Sequence, residues 1–279
     1  MKINTILFLF AGIVLIAVLL VYLSRNLYRE YKKEVKRATK LNPIAGKDIL
    51  SEKDILHLPS PVQKYLLYTG SIGKKKVHSF YLAADCQMQL KKKWCKVDIK
   101  QNNFMGNNPF RLFYLSIKGY GIPIYALHSY TDKQASMLIK LAGLIPVVNV
   151  KGNEMRISDT ITLLNDMCIF APAALIDPRI SWEPIDSHSA KAHFKTQYCT
   201  VSATLYFNDI GELVNFVSED RYYTNDDGTF IKTTWSTPVK SYKDINGYRL
   251  ASDIEVVWNF PQGDDCYFKL TNIKELKYN

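Results

Sequence analysis

From about residue 76 the chain alternates. In HSFYLAADCQMQL, residues 78–90, Phe80, Leu82, Ala84, Cys86, Met88 and Leu90 fall on one side of an extended backbone, with Ser79, Tyr81, Asp85, Gln87 and Gln89 on the other. A period of two with one apolar side predicts a long strand buried on one face. The pattern continues through Cys95/Val97/Ile99, Phe113/Leu115/Ile117 and Ile122/Ile124/Ala126, and residues 135–150 add two apolar runs around Gly143 and Pro146. It returns at Ala192/Phe194, Val201/Ala203/Leu205/Phe207 and Ile254/Val256/Trp258/Phe260, and closes with YFKLTNI at 267–273. Turn signals separate the runs: NDIG at 208–211, NDDG at 225–228, NG at 246–247 and PQGDD at 261–265. Roughly ten or more such strands predict an antiparallel meander. Its apolar face must curl on itself or be covered. The predicted fold is therefore mainly β (α+β), a large curved antiparallel sheet or half-barrel covered by short helices.

The helices have signatures of their own. ILFLFAGIVLIAVLLVYL, residues 6–23, is 18 residues without a charge. At ~1.5 Å per residue it spans about 27 Å, close to a bilayer core of roughly 30 Å. Tyr22 sits near the end of the run, and no small-x-small cleavage pattern follows, so an uncleaved single-pass anchor over residues 1–24 is expected ahead of a cleaved signal peptide. Leu27, Tyr31 and Val35 then recur at helical spacing, predicting a basic helical stalk over 25–45 that Asn42-Pro43 and Gly46 terminate. SEKD at 51–54 fits a capping box, and Ser60-Pro61 opens a second short helix that Gly70 closes, with Val62, Tyr65 and Leu66 inward. Residues 46–279 show no composition break and read as one β domain.

One stretch breaks the strand pattern. In LNDMCIFAPAALIDPRISW, residues 164–182, apolar residues bunch together with charges among them. Ser158 as N-cap, Asp159 in the first turn and Ile161, Leu164, Cys168 and Leu175 as an apolar stripe predict a helix over 159–170 that covers the sheet. Pro172 requires it to end by Ala171.

Composition then locates the partners. Half of the formal net charge of +10 lies in residues 24–40, where Arg25, Arg29, Lys32, Lys33, Lys36, Arg37 and Lys40 face only Glu30 and Glu34. This places a membrane surface beside the segment and, by the positive-inside rule, the body in the cytoplasm. What remains is too mild to imply nucleic acid, and the lysine triplets at 74–76 and 91–93 read as solvated turns. The five cysteines form no CxxC pair and read as free core thiols, which agrees with a reducing compartment. The five histidines are scattered, and no nucleotide-binding, zinc-protease or serine-hydrolase motif occurs, so no metal, cofactor or catalytic group is assigned.

The residues with chemistry are few. Glu219-Asp220-Arg221 is the densest charge cluster of the body; in a strand Glu219 and Arg221 would share a face, either as a surface ion pair or as a pair orienting a polar headgroup in a cavity. Asp166 and Asp177, with Arg179, are paired-carboxylate candidates, though Asp177-Pro178 is also an ordinary turn and Asn165-Asp166 can bond local backbone. Trp182, Trp235 and Trp258 would line an apolar cavity or fill the core.

Taken together, LPSPVQKYLLYTG, NPFRLFYLSIKGYGIP, LNDMCIFAPAALID, LYFNDIGELVNF, SEDRYY and WSTPVKSY resemble a bacterial family of membrane-associated proteins of unknown function. That resemblance covers most of residues 56–279, implies a compact mostly-β domain and supplies no catalytic residues. A looser likeness is to the lipoprotein-carrier half-barrels, whose curved sheet and covering helices hold acyl chains outside the cytoplasmic membrane, on the other side from the charge-based expectation. The expected function is ligand binding in the sheet's concavity, the ligand being lipid or another apolar or amphipathic molecule. The alternatives are an enzyme on a membrane-associated substrate using Asp166 and Glu219, and a module that binds a protein partner by a sheet edge.

Overall fold

The computed structural model describes residues 2–43, 48–118, 121–225 and 228–278, with the backbone alone for residues 2–9. The expected boundary at residues 45–46 and the centre of the NDDG turn lie outside the described residues. The α-helices are α1 (Lys2–Ser24), α2 (Asn26–Leu41), α3 (Ser60–Tyr68) and α4 (Asn153–Phe170), with short 3-10 turns at Glu52–Ile55 and Pro172–Ile176. Six strands precede α4: β1 (Ser79–Leu90), β2 (Lys93–Phe104), β3 (Phe110–Lys118), β4 (Ile124–Thr131), β5 (Ala135–Leu141) and β6 (Ile145–Lys151). After it come β7 (Ile180–Pro184), β8 (Ser189–Lys195), β9 (Thr200–Phe207), β10 (Leu213–Ser218), β11 (Tyr222–Thr224), β12 (Phe230–Lys232), β13 (Thr234–Ser236), β14 (Val239–Ile245), β15 (Tyr248–Phe260) and β16 (Gly263–Tyr278).

Fourteen of these strands form one antiparallel sheet in the order β6-β5-β4-β3-β2-β1-β16-β15-β13-β10-β9-β8-β7, with β14 paired to β15. Two meanders therefore meet where β1 pairs with β16, through a register broken twice by irregularities. The remaining pair, β11 and β12, is a separate ribbon. Pro146 sits in β6, an edge strand, where a missing donor does no harm. The Asn246-Gly247 turn between β14 and β15 has both residues at positive φ, as a two-residue hairpin requires.

The position of α4 shows how the sheet curves. The helix follows one edge strand, β6, and leads to the other, β7, and it touches β4, β5 and β6 on one wing and β9 and β15 on the other. In a flat sheet β5 and β9 would lie roughly 43 Å apart at about 4.8 Å per strand, several times a helix diameter of about 10 Å. The sheet wraps around the helix. Consequently α4 is buried on nearly every side from Ser158 to Phe170.

The start of α4 corrects the expectation. It begins at Asn153, after Gly152 ends β6 with φ +144, and Glu154 rather than Asp159 occupies the first turn. Asp159 lies inside the helix and is 1% exposed. The helix does end at Phe170, before Pro172. Proline has no N–H, so the Cys168 carbonyl loses the donor that residue 172 would supply. The fully buried Tyr65 of α3 takes that place, donating its hydroxyl to the Cys168 carbonyl at 2.7 Å. Tyr278 does the same for the Phe170 carbonyl. The capping box at Ser51 and Asp54 forms as expected, with Asp54 Oδ2 accepting from the Ser51 amide at 2.8 Å.

A second correction concerns the basic segment. It is helical, but it is docked rather than a free stalk. Leu27, Tyr31 and Ala38 of α2 are buried against Phe104, Phe110, Leu112 and Leu127, the outward positions of β2–β4. Tyr31 donates to Asn102 Oδ1 at 2.6 Å, and at the far end Asn42 Nδ2 donates to the Asn108 carbonyl at 3.0 Å. The helix thus runs lengthwise along the outer face while α4 fills the inner one. Its charges still face solvent: Arg25, Lys32, Lys33, Lys36, Arg37 and Lys40 are exposed, and Arg29 stacks on Tyr22 with its guanidinium carbon 3.9 Å from the ring centroid.

Tyr65→Phe tests the substitute donor. It leaves the Cys168 carbonyl buried and unpaired and should cost about 1–3 kcal/mol, read as a lower denaturation midpoint of the detergent-solubilised protein. An unchanged midpoint would mean that Tyr65 only packs.

Candidate functional site

Between α4 and the concave face lies a cavity of about 310 Å³, at the lower end of the roughly 300–1,000 Å³ typical of small-molecule sites. The inward positions of β2–β5 lie in rows across the strands. Asn103, Arg111, Tyr130 and Ala135 form one row; Gln101, Phe113, His128 and Met137 the next; Ile99, Leu115, Ala126 and Ile139 the third. The wall thus changes from polar to apolar within three rows. Ile254, Val256 and Trp258 of β15, with Tyr267, Phe268 and Leu270 of β16, form the opposite wall. The β11–β12 ribbon contributes Tyr222, Tyr223 and Phe230, and α4 presents Ser158, Thr162, Asn165, Asp166 and Ile169.

The polar end is organised by Asp166. Its Oδ2 accepts from Arg111 Nε at 2.7 Å, Gln101 Nε2 at 2.7 Å and Asn103 Nδ2 at 2.9 Å. Gln101 and Asn103 are two apart on β2 and so share the inward face, and Arg111 stands directly opposite Asn103 on β3. Asp166 is 5% exposed and Arg111 6%. A buried ion pair of this kind holds only with its remaining lone pairs and protons bonded, and these amides supply that. The expectation that Asp166 bonds its local backbone is thereby replaced: a side chain on α4 is bound by three groups from the facing sheet.

Two further groups are less well partnered. Arg221 Nη1 donates to Thr162 Oγ1 at 2.6 Å, and its guanidinium carbon lies 4.2 Å from the Trp235 ring centroid and 5.3 Å from that of Trp258. Its Nε is buried without an acceptor. His128 Nε2 is 3.6 Å from Asp159 Oδ2, and neither Asp159 oxygen accepts a hydrogen bond. Burial pulls the His128 pKa below the ordinary imidazole value, against the opposing pull of Asp159. Burial likewise pushes the Cys168 thiol up, away from a reactive thiolate. Among the described residues, no group of three or more His, Cys, Asp or Glu side chains comes together as a metal site.

Of the residues singled out in the sequence, Asp166, Arg221, Trp235 and Trp258 line the cavity. Asp177 and Arg179 do not: Arg179 Nε donates to Asp177 Oδ1 at 2.9 Å and its Nη1 to the Gly106 carbonyl at 3.1 Å, tying the entry of β7 to the β2–β3 turn. Trp182 is half-buried on the edge strand β7, away from the cavity. Glu219 is exposed in the bend after β10, so it does not share a strand face with Arg221, and Asp220 turns instead to the Ser202 amide at 2.8 Å and to Lys232. Arg111, Gln101 and His128 also line the cavity, Asn103 bonds Asp166 beside them, and no motif in the sequence singles them out. A signal was present, because carrying the inward phase of Val97/Ile99 and Leu115/Ile117 along their strands lands on Gln101, Asn103 and Arg111.

Removing one partner of the buried pair should be costly. Asp166→Ala leaves Arg111 uncompensated and is expected to destabilise by about 3–5 kcal/mol. Arg111→Met combined with Asp166→Leu should cost less than the two single changes together, and strict additivity in a denaturation cycle would contradict the pairing. The depressed His128 pKa also sets a sign. The folded state holds His128 neutral, so the unfolded chain binds more protons as pH falls through about 6.5, and stability drops below that pH. His128→Gln should flatten the slope below about pH 6.5; a slope unchanged by the substitution would assign it elsewhere.

Comparison with solved structures gives distant likenesses. A putative outer membrane lipoprotein-sorting protein domain from Vibrio parahaemolyticus aligns over 72% of this chain and 85% of its own, at 8% identity and a TM-score of 0.39. A DUF1329 family protein from Desulfovibrio piger aligns over 73% and 86%, at 12% identity and a TM-score of 0.36. A LolA superfamily protein from Nitrosomonas europaea aligns over 79% and 92%, at 11% identity and a TM-score of 0.34. No curated protein matches the sequence. The model of a family of unknown function, DUF6544, matches residues 48–270, nearly the whole of the sheet and all of α4. This chain is a member of the DUF6544 family.

Proposed function

We propose that this protein is a single-pass membrane protein whose β body, from residue 46 onward, holds an amphipathic molecule of lipid class in the cavity under α4. The observation that carries this reading is the cavity itself: a space of about 310 Å³ with apolar side chains over most of its wall and charged and amide groups gathered at one end. An apolar chain gains about 25 cal/mol for each Å² it withdraws from water. The polar part of the ligand is met by Arg221, whose buried Nε lacks an acceptor, beside the Trp235 and Trp258 rings. A carboxylate or phosphate oxygen is the natural complement of such a donor.

The membrane part of the proposal rests on α1. Its side chains are far too exposed for a core helix of the body, with Phe10 at 66% and Leu15 at 71%. The basic residues after it favour the cytoplasmic side for the body.

Ala126→Phe is the direct test, because Ala126 lines the cavity and a larger ring would occupy ligand space. The full chain, purified in detergent, should retain a small apolar molecule detectable by mass spectrometry, and the variant should lose it while keeping its circular dichroism. Lipid around α1 is common to both proteins and cancels. Equal retention by both would refute binding in this cavity.

A further inference from the structure

The strand ends are unequal. One end of the sheet carries the β1–β2 turn at Lys91-Lys92, the β3–β4 connection with Ile122, the β5–β6 turn at Ala142-Gly143 and the β15–β16 turn at Pro261-Gln262. The register brings them together: Cys95 lies opposite Met88, Val97 opposite Ile117, Ile117 opposite Ile124, Ile124 opposite Leu141, and Met88 opposite Phe268.

The amino-terminal helices leave from this same end. Along α2, Tyr28 receives Lys100 at 3.1 Å and Tyr31 reaches Asn102, while Asn42 meets Asn108 at the opposite end of the strands. The first turn of α2 is therefore nearest the turn cluster. The break between α1 and α2 is a single residue, Arg25. Gly143, at φ +72, has no room for a Cβ because the Ser24 carbonyl occupies that place. So α1 ends against the β5–β6 turn, and its side chains from Phe10 to Leu23 are exposed, as expected of a helix that projects beyond the body.

The exposed side chains at this end are those of a bilayer interface. Ile122 is 54% exposed, Ile145 61%, Val147 50% and Trp94 40%. Lys91, Lys92, Lys93 and Lys96 share this end with Lys118, which is paired with Asp98 at 2.8 Å, and the further acids are Asp264 and Asp265 at the start of β16, so the balance is basic. Lys91 and Lys92 hold φ of 49° and 65°, positions where a hairpin ordinarily takes Asn-Gly. Lysines thus stand at that tip despite the backbone cost.

We infer that this end of the β body is a second membrane contact. Resting on the reading of α1 as a membrane anchor, it seats Ile122, Ile145 and Val147 at the boundary of headgroups and acyl chains, with Trp94 at headgroup depth and the lysines on anionic phosphates. The body then stands with its strands along the bilayer normal instead of tumbling on a tether.

Site-specific depth measurement tests this on the full chain. A nitrobenzoxadiazole label is placed at Ile145→Cys, at Leu15→Cys within α1, and at Ile210→Cys, which is 66% exposed on the β9–β10 turn at the other end of the sheet. The background is Cys199→Ser/Cys266→Ser, which removes the two half-buried thiols. The protein is reconstituted in phosphatidylcholine–phosphatidylglycerol vesicles carrying a spin label near the headgroup end of the acyl chain, which reads position 145, and in a parallel sample near its methyl end, which reads position 15; position 210 is measured in both. The inference predicts a blue shift and quenching at positions 15 and 145, with neither at position 210. Quenching at 15 with position 145 as bright as 210 would overturn it while leaving the anchor intact. An unquenched label at 15 would defeat the anchor reading and this inference with it.

Discussion

A charged carboxylate inside an apolar body is costly unless donors surround it, and the bonds around Asp166 are the interaction on which the site depends. Three donors from two strands converge on one oxygen of a residue carried by α4. Leaving that charge unpaired would cost several kcal/mol, a large share of a domain's net stability. The helix is thereby held at one height and one rotation in the concavity. From that placement follows the polar end of the cavity, and from the unfilled space beyond Phe113 and Ala126 follows its apolar end.

The helix could not sit there without two accommodations at its end. Pro172 stops it and removes a donor, and Tyr65 and Tyr278 supply hydroxyls to the carbonyls left open. Both tyrosines come from elements distant in sequence, one before the sheet and one in its last strand. α3 and the last strand of the sheet are thus tied to the same helix end. Across the sheet, α2 covers the outward side of β2–β4, so those strands are buried on both faces while still reading as alternating.

Much of the architecture was legible because it depends on local chemistry. A period of two gave the strands, Pro172 gave the helix end, and Asn246-Gly247 gave a hairpin. The site was less so. Asp166 was visible, but its partners come from strands more than 50 residues away, and no spacing within one segment encodes them. Arg221 looked like half of a local pair with Glu219, whereas the bend after β10 turns the two apart. The start of α4 was misplaced because Ser158 and Asp159 imitate a cap; their hydroxyl and carboxylate are buried polar groups of the helix interior. The docking of α2 was missed for a related reason. Its apolar stripe is visible in the sequence, but the counterpart, Phe104, Phe110, Leu112 and Leu127, lies on the outward side of strands more than 60 residues further on.

The central claim is that α4 is held over a space meant for a ligand, not over solid core. A density map of the full chain in lipid nanodiscs tests it most directly. The account predicts elongated non-protein density between Asp166 and Val256, its polar end within hydrogen-bond distance of Arg221 Nε. A map in which Phe113, Trp258 and Ile169 close on one another and leave no space would contradict it.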